Sequence, residues 1–366
     1  MKRMTMRDRM LAVIRGEPHD RVPFVQYIDV AGFPCPRDVL ELLGRGNIGF
    51  LRWTNVHRFE TPNCRFETEE IVRDGRRCQH RTLITPRGRL EEERVFDPVF
   101  GSSRAASHFV KNLNDYNVLM AYLRDIRVVK DLNALRKSTA DLGTGGLPHV
   151  YTCRTPYQQL WVEWVNIQDA IPHLVEEADI VTEVFRLMAD VQQKVFRTVC
   201  EAAQELPIPY VVFPDNITAP MIGERFFRDY CVPAYNELAC MLDETGEDIP
   251  VFVHMDGDIF SLRDAIGESR MRGIDSLSPP PDNDTSAAQA LAWWPEMRLL
   301  INFPSSVHLR PPDRVRRAAT QILEEGGHTG QLQIQVSENV PPDLWRVSYP
   351  QIAGAIEEFG PPGEHR

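Results

Sequence analysis

Residues 250–257 read Pro250-Val251-Phe252-Val253-His254-Met255-Asp256-Gly257. A four-residue run too short for a helix closes on an imidazole, a carboxylate and a glycine, which is how a buried strand ends when its tip carries chemistry. The same grammar recurs on both sides. Tyr210–Phe213 runs into Pro214-Asp215-Asn216, Ile274–Leu277 into Ser278, Leu299 into Asn302, and Leu332–Val336 into Ser337-Glu338. Between these runs lie amphipathic segments. One places Val181, Val184, Phe185, Met188, Val191, Val195 and Val199 on a single stripe; another runs through Val315, Ala318, Ala319, Ile322 and Leu323 and stops at Gly326-Gly327. Strand and helix alternating in this way imply parallel β/α units with right-handed crossovers.

The first half adds strands at Phe24–Ile28, Ile48–Arg52 and Val150–Cys153. Three and five make eight, the number that closes a (β/α)8 TIM barrel, here with an N-terminal helical lead-in. The competing architecture is an open doubly wound sheet. No GxGxxG or GxxxxGK[ST] turn follows any strand, so the phosphate cradles typical of that class are missing and the barrel is favoured. Residues 57–112 break the rhythm with alternating polar and β-forming residues. We expect a hairpin-rich, β-rich insertion in a single domain over 1–366, serving as a substrate wall or as a surface arm for packing or dimerisation.

Composition bounds the function. With 41 Lys+Arg against 52 Asp+Glu the net charge is −11, and no basic run offsets it, which argues against nucleic acid as a partner. The chain is 43% hydrophobic and 25% charged, enough for a large core. Arg7, Asp8, Arg9 and Arg15 interrupt any signal-peptide core, and no apolar run is long enough for a membrane span. Seven cysteines without a CxxC pair read as reduced thiols. The expectation is a cytoplasmic enzyme.

In a β/α barrel, catalytic side chains stand at the C-terminal strand ends. Those positions supply Gln26 and Tyr27, Arg154, Asp215 and Asn216, His254 and Asp256, Ser276 and Ser278, Asn302, and Ser337 with Glu338. His254 and Asp256, two apart in extended chain, point the same way and can grip one ion, with Glu338 as a third ligand. The alternative is a plain hydrogen-bonded pair. Asp215 is a general base, a further ligand, a partner that orients the imidazole, or the cap of the next segment. Arg154 clamps a substrate carboxylate or pairs with a neighbouring acid. Gln26, Asn216, Ser278 and Asn302 are candidate substrate-binding groups. No nucleophile elbow is present.

Several stretches together resemble a family. Met6–Leu11 running into Arg15–Pro23, then Phe213–Asn216 followed by Phe226-Phe227 and Val232–Tyr235, are similar to the opening and the fourth strand of uroporphyrinogen decarboxylase-like proteins. His254-Met255-Asp256-Gly257 resembles the H-x-C-G stretch of that superfamily's corrinoid-linked methyltransferases, and Ser337–Pro342 their eighth-strand ending. The resemblance implies a β/α barrel and offers two chemistries. True uroporphyrinogen decarboxylases work without cofactor and carry an arginine-rich segment after the first strand; here Gln26–Phe33 contains no arginine. The methyltransferase branch is the closer likeness. It implies zinc or another divalent ion, a small O- or N-methylated substrate, and a corrinoid carried by a partner protein. Where those enzymes have two cysteines this chain has Asp256 and Glu338. That harder donor set suits an ether or phenol oxygen better than a soft thiol. On this reading His254, Asp256 and Glu338 hold the ion, Asp215 orients or acts as base, and Arg154 and Tyr27 position substrate. Two other readings stay open: a cofactor-free decarboxylase using Asp215, and a non-catalytic binding barrel. A homodimer is usual for the decarboxylases it resembles.

Overall fold

The computed structural model describes residues 4–338 and 340–365. Its strands in chain order are β1 (Phe24–Ile28), β2 (Gly49–Thr54), β3 (His57–Glu60), β4 (Arg65–Arg73), β5 (Arg76–Thr85), β6 (Gly88–Phe96), β7 (Ser103–Ser107), β8 (Arg127–Lys130), β9 (Gly146–Tyr151), β10 (Val211–Phe213), β11 (Val251–His254), β12 (Gly273–Leu277), β13 (Arg298–Asn302) and β14 (Leu332–Val336). Eight of them close a parallel barrel in the order β1-β14-β13-β12-β11-β10-β9-β2. These are the eight strands expected from the apolar runs. The largest shift is in β9, which starts at Gly146, four residues before the expected Val150. Pro148 and His149 disguise its first half, because this barrel's interior accepts polar side chains and an apolar-run criterion passes over them.

Alternation along the strands sorts the core into two layers. Val25, Tyr27, Leu51, Leu147, Tyr210, Val212, Phe252 and Leu300 fill the barrel; Phe24, Ile28, Val211, Phe213, Val251 and Val253 face the helices. Helix Met6–Arg15 closes the N-terminal end of the barrel. It starts at a Thr5–Asp8 capping box, ends at Gly16 with φ of 72°, and adds Met6, Met10, Val13 and Ile14 to the interior cluster. Gly49, at the foot of β2, is required there, since a Cβ would overlap the Met6 side chain. The expected helical stripe from Val181 to Val199 is buried along helix Ala178–Ala203.

Between β2 and β9 the chain leaves the barrel. β4, β5, β6 and β7 form an antiparallel sheet, and β3 pairs antiparallel with β8. The β4–β5 turn is Asp74-Gly75, both at positive φ (52° and 73°), the conformation a tight two-residue hairpin demands. The core-facing side of this sheet carries Leu83 and Leu90, and Glu92, buried at 1% exposure, pairs with Arg81 at 2.7 Å and Arg94 at 3.0 Å. Among the described residues, no helix is long and apolar enough to cross a membrane.

Candidate metal centre

His254 is the last residue of β11 and shares its parity with Phe252, so its ring turns into the barrel mouth. Asp256 follows two residues on. The chain then passes Thr218 so closely that only glycine fits at 257, where a Cβ would overlap the Thr218 side chain. Glu338 arrives from the end of β14. One ligand-type atom each of His254, Asp256 and Glu338 lies within 4.8 Å of the others. These are the three residues that the sequence singled out as candidate ligands, drawn from two strands on opposite sides of β12 and β13.

The electrostatics of the trio suit a cation. Burial and the neighbouring Asp256 both push the Glu338 carboxyl above the usual range. Burial opposes charging of His254, but its contacts with Asp256 and Asp275 outweigh this and raise the imidazole to about 10. Asp256 suffers the same burial penalty, yet the His254 beside it (Nε2 to Oδ2, 3.7 Å) holds it below the ordinary carboxylate range. Without an ion, protons must moderate the repulsion between two carboxylates. One nitrogen and two carboxylate donors fit a divalent ion such as zinc or a harder relative, and leave positions open for a ligand.

Asp275 completes the arrangement and was not among the residues anticipated from sequence. It is fully buried in β12 and accepts from the Tyr27 hydroxyl at 2.6 Å and the Gln335 amide at 2.9 Å, with His254 Nδ1 at 3.0 Å. Against the cost of burial, the His149 ring, His254 and the Tyr27 hydroxyl hold it at about 2. A bulge makes this possible. Asp275 pairs with Leu300 and Leu277 with Ile301, so Ser276 is an extra residue, at φ of 69°. Asp275 and Ser276 therefore both face inward, Ser276 bonding to Ser337 at 2.8 Å, while Leu277 returns to the outer core. A carboxylate inside an apolar run, Ile274-Asp275-Ser276-Leu277, was the available signal. His149, also missed, is fully buried with neither ring nitrogen hydrogen-bonded, and burial lowers it to about 4.

The other anticipated residues fall into two groups. Arg154 and Asn216 reach the mouth: Arg154 donates to Asn216 at 3.2 Å and pairs with Glu163 at 3.4 Å. A cavity of about 510 Å³ opens there, walled by Trp53, Tyr151, Phe59, Arg154 and Glu163. The Trp53 ring connects it to the trio, standing 6.2 Å from the His254 ring. Gln26 and Asp215 have the opposite parity and face the helices. Gln26 is fully buried, accepting from Tyr349 at 3.1 Å and donating to the Pro34 carbonyl at 3.0 Å, so it is not at the mouth where substrate would bind. Asp215 accepts from the Thr155 amide and hydroxyl, each at 2.9 Å, and from Tyr235 at 2.7 Å. Burial raises its carboxyl against those bonds, and it ties the loop after β9 to helix Val232–Asp243. Tyr27 spends its proton on Asp275 and stands inside the barrel, 2% exposed. Asn302 bridges Ser278 and the Ser337 amide, at 3.0 Å and 3.1 Å.

Residues 165–344 match the family model described as Uroporphyrinogen decarboxylase (URO-D). That range contains all three members of the trio. Among solved structures, a methyltransferase from Methanosarcina mazei is similar over 97% of this chain and 99% of its own, with a TM-score of 0.56 at 13% identity, a likeness of fold. A B12-independent methionine synthase from Shewanella sp. W3-18-1, in complex with selenomethionine, aligns over 72% and 73% at 11% identity with a TM-score of 0.37, too low to support an argument. No curated protein matches the sequence.

Proposed function

Because residues 165–344 match the uroporphyrinogen decarboxylase family model, we propose that the chain is a metal-assisted methyltransferase. It moves a methyl group from a small O- or N-methylated compound to a corrinoid protein. The observation that carries this reading is the convergence of His254, Asp256 and Glu338 within 4.8 Å at the C-terminal mouth of the barrel. The neighbouring fold of a methyltransferase supports it. The 57–112 excursion belongs, on this reading, to one barrel domain and contributes Phe59 to the substrate wall.

His254, Asp256 and Glu338 would hold a divalent ion, which would supply Lewis acidity toward the ether oxygen or amine nitrogen whose methyl leaves. The chain's own residues bind, orient and shield. Trp53, Tyr151 and Phe59 offer flat apolar walls that keep water from the substrate body. Arg154 holds an anionic group of the substrate, in exchange for part of its contact with Glu163. With carboxylates in place of thiolates, the site favours oxygen or nitrogen leaving groups over a soft sulfur. The saturated hydrogen bonding of Asp215, away from the mouth, weighs against the decarboxylase reading that relied on it.

Elemental mass spectrometry of the purified protein, beside His254→Ala and Asp256→Ala, tests the proposal. About one zinc per chain, lost in both variants, is expected. Demethylation of methyl ethers is then followed with a corrinoid acceptor. Wild-type protein without metal, or variants that keep it in full, would overturn the proposal.

A further inference from the structure

Hydrogen-bond accounting around Asp275 fixes more than a contact. An ionised carboxylate only accepts, so each group bonded to it must bring a proton. Tyr27 has one hydroxyl proton and directs it to Oδ2 at 2.6 Å. Gln335 brings its amide to Oδ1 at 2.9 Å, and its own carbonyl oxygen is occupied by the Gln333 amide at 3.0 Å, which sets the amide's orientation. The remaining approach to Oδ2 comes from His254 Nδ1 at 3.0 Å, and that nitrogen must carry hydrogen. The proton that charges the ring therefore sits on Nε2, on the side of Asp256, whose Oδ2 is 3.7 Å away, and once an ion displaces it Nε2 presents its lone pair there. The Trp53 ring edge and the β11–β12 pairing, in which His254 and Asp275 are Cα partners, leave the imidazole little room to turn.

We propose that Asp275 is the positioning residue of this site: it holds the His254 imidazole with hydrogen on Nδ1 and Nε2 aimed at Asp256 and Glu338, and the site's affinity for a divalent ion depends on it. The inference rests on reading the trio as a metal site. Its physical basis is general, since a carboxylate behind a ligating imidazole fixes tautomer and direction and makes the ligand more basic. Tyr27 and Gln335 act one step further back by keeping the carboxylate from rotating. The strained Ser276 belongs to the same device, because without the bulge Asp275 and Ser276 could not both face inward.

The test uses the full-length protein and zinc alone. Zinc affinity is measured by competition with a chromogenic chelator for wild type, Asp275→Asn, Asp275→Ala and Tyr27→Phe, each checked for native circular dichroism. Asp275→Ala should weaken zinc by roughly 10- to 100-fold, Asp275→Asn by less because its carbonyl still accepts from Nδ1, and Tyr27→Phe least. In parallel, 15N NMR of histidine-labelled protein should show His254 retaining hydrogen on Nδ1 as zinc is added. Equal zinc affinity in a folded Asp275→Ala or Asp275→Asn variant, or a His254 bound through Nδ1, overturns the proposal. Should wild type take up no zinc, the metal reading fails, and Asp275 is judged on the metal-free spectrum. A hydrogen-bonded Nδ1 proton altered by Asp275→Asn supports its hold on the ring, whereas a bare Nδ1 refutes it.

Discussion

His254 and Asp275 are Cα partners across β11 and β12, 21 residues apart in sequence, with Nδ1 and Oδ2 3.0 Å apart inside the barrel. Parallel pairing brings an imidazole and a fully buried carboxylate side by side, and the next turn of the chain after β11 adds Asp256. One lateral step in the sheet therefore separates Asp275, bonded to one ring nitrogen, from the carboxylate near the other.

Metal binding at the trio should strengthen as pH rises. His254 is raised to about 10, so in the metal-free protein it holds a proton that an ion must displace. Displacing at least one proton gives about a tenfold gain in zinc affinity per pH unit through the neutral range, levelling off only as His254 deprotonates. Chelator competition at three pH values measures the slope; a flat profile contradicts proton displacement.

Glu338→Gln should lower metal affinity without unfolding the protein. The amide keeps the volume and removes the charge, and because the side chain is only half-buried, stability should change by less than about 1 kcal/mol. Metal stoichiometry and urea denaturation on the same preparation separate the two effects.

Gly257→Ala should damage the site from the backbone. The new methyl overlaps Thr218, and relief requires the Asp256–Gly257 segment or the loop after β10 to shift. A loss of about 1–3 kcal/mol is expected, with weakened metal binding, because Asp256 is the residue next to the displacement. Thermal unfolding and metal content report the two losses together.

Tyr235→Phe should destabilise the barrel yet leave metal content intact. It removes one of three donors to the buried Asp215 carboxylate, at a cost of about 1–3 kcal/mol. The same change favours the protonated acid, so the destabilisation should be smaller in mildly acidic buffer than at neutral pH. Denaturation at two pH values checks the sign. Loss of bound metal in this variant would show that Asp215 also serves the trio.

Gln26→Leu should behave in the same way. It leaves the Pro34 carbonyl and the Tyr349 hydroxyl without partners in the helix layer, at about 1–3 kcal/mol, and should not alter ligand binding at the mouth. Calorimetric binding at matched folded fraction distinguishes this from a substrate contact.

Much of the fold was legible locally. Four- and five-residue apolar runs at steady intervals, alternating with helix stripes such as Val181–Val199, imply a parallel layer covered by helices, and a count of eight without a phosphate-cradle turn favours the barrel over an open sheet. His254, Asp256 and Glu338 were legible too, because strand ends are where a β/α barrel exposes side chains. The directions of Gln26, Asp215 and Tyr27 were not legible. Proximity to a strand end does not fix exposure at the mouth: pleat parity turns Gln26 and Asp215 to the helices, and the Asp275 hydrogen bond draws Tyr27 inward.

The sequence by itself determined the strand count, the helix faces and the residue types at the mouth, since each follows from periodicity and short-range sterics. Only the tertiary structure decided which of those residues share a centre. Asp275 joins His254 through lateral pairing, a one-residue bulge at Ser276 and hydrogen bonds from β1 and β14. Those relations depend on register between distant strands, and no local pattern of residues encodes register once both faces of a strand are buried.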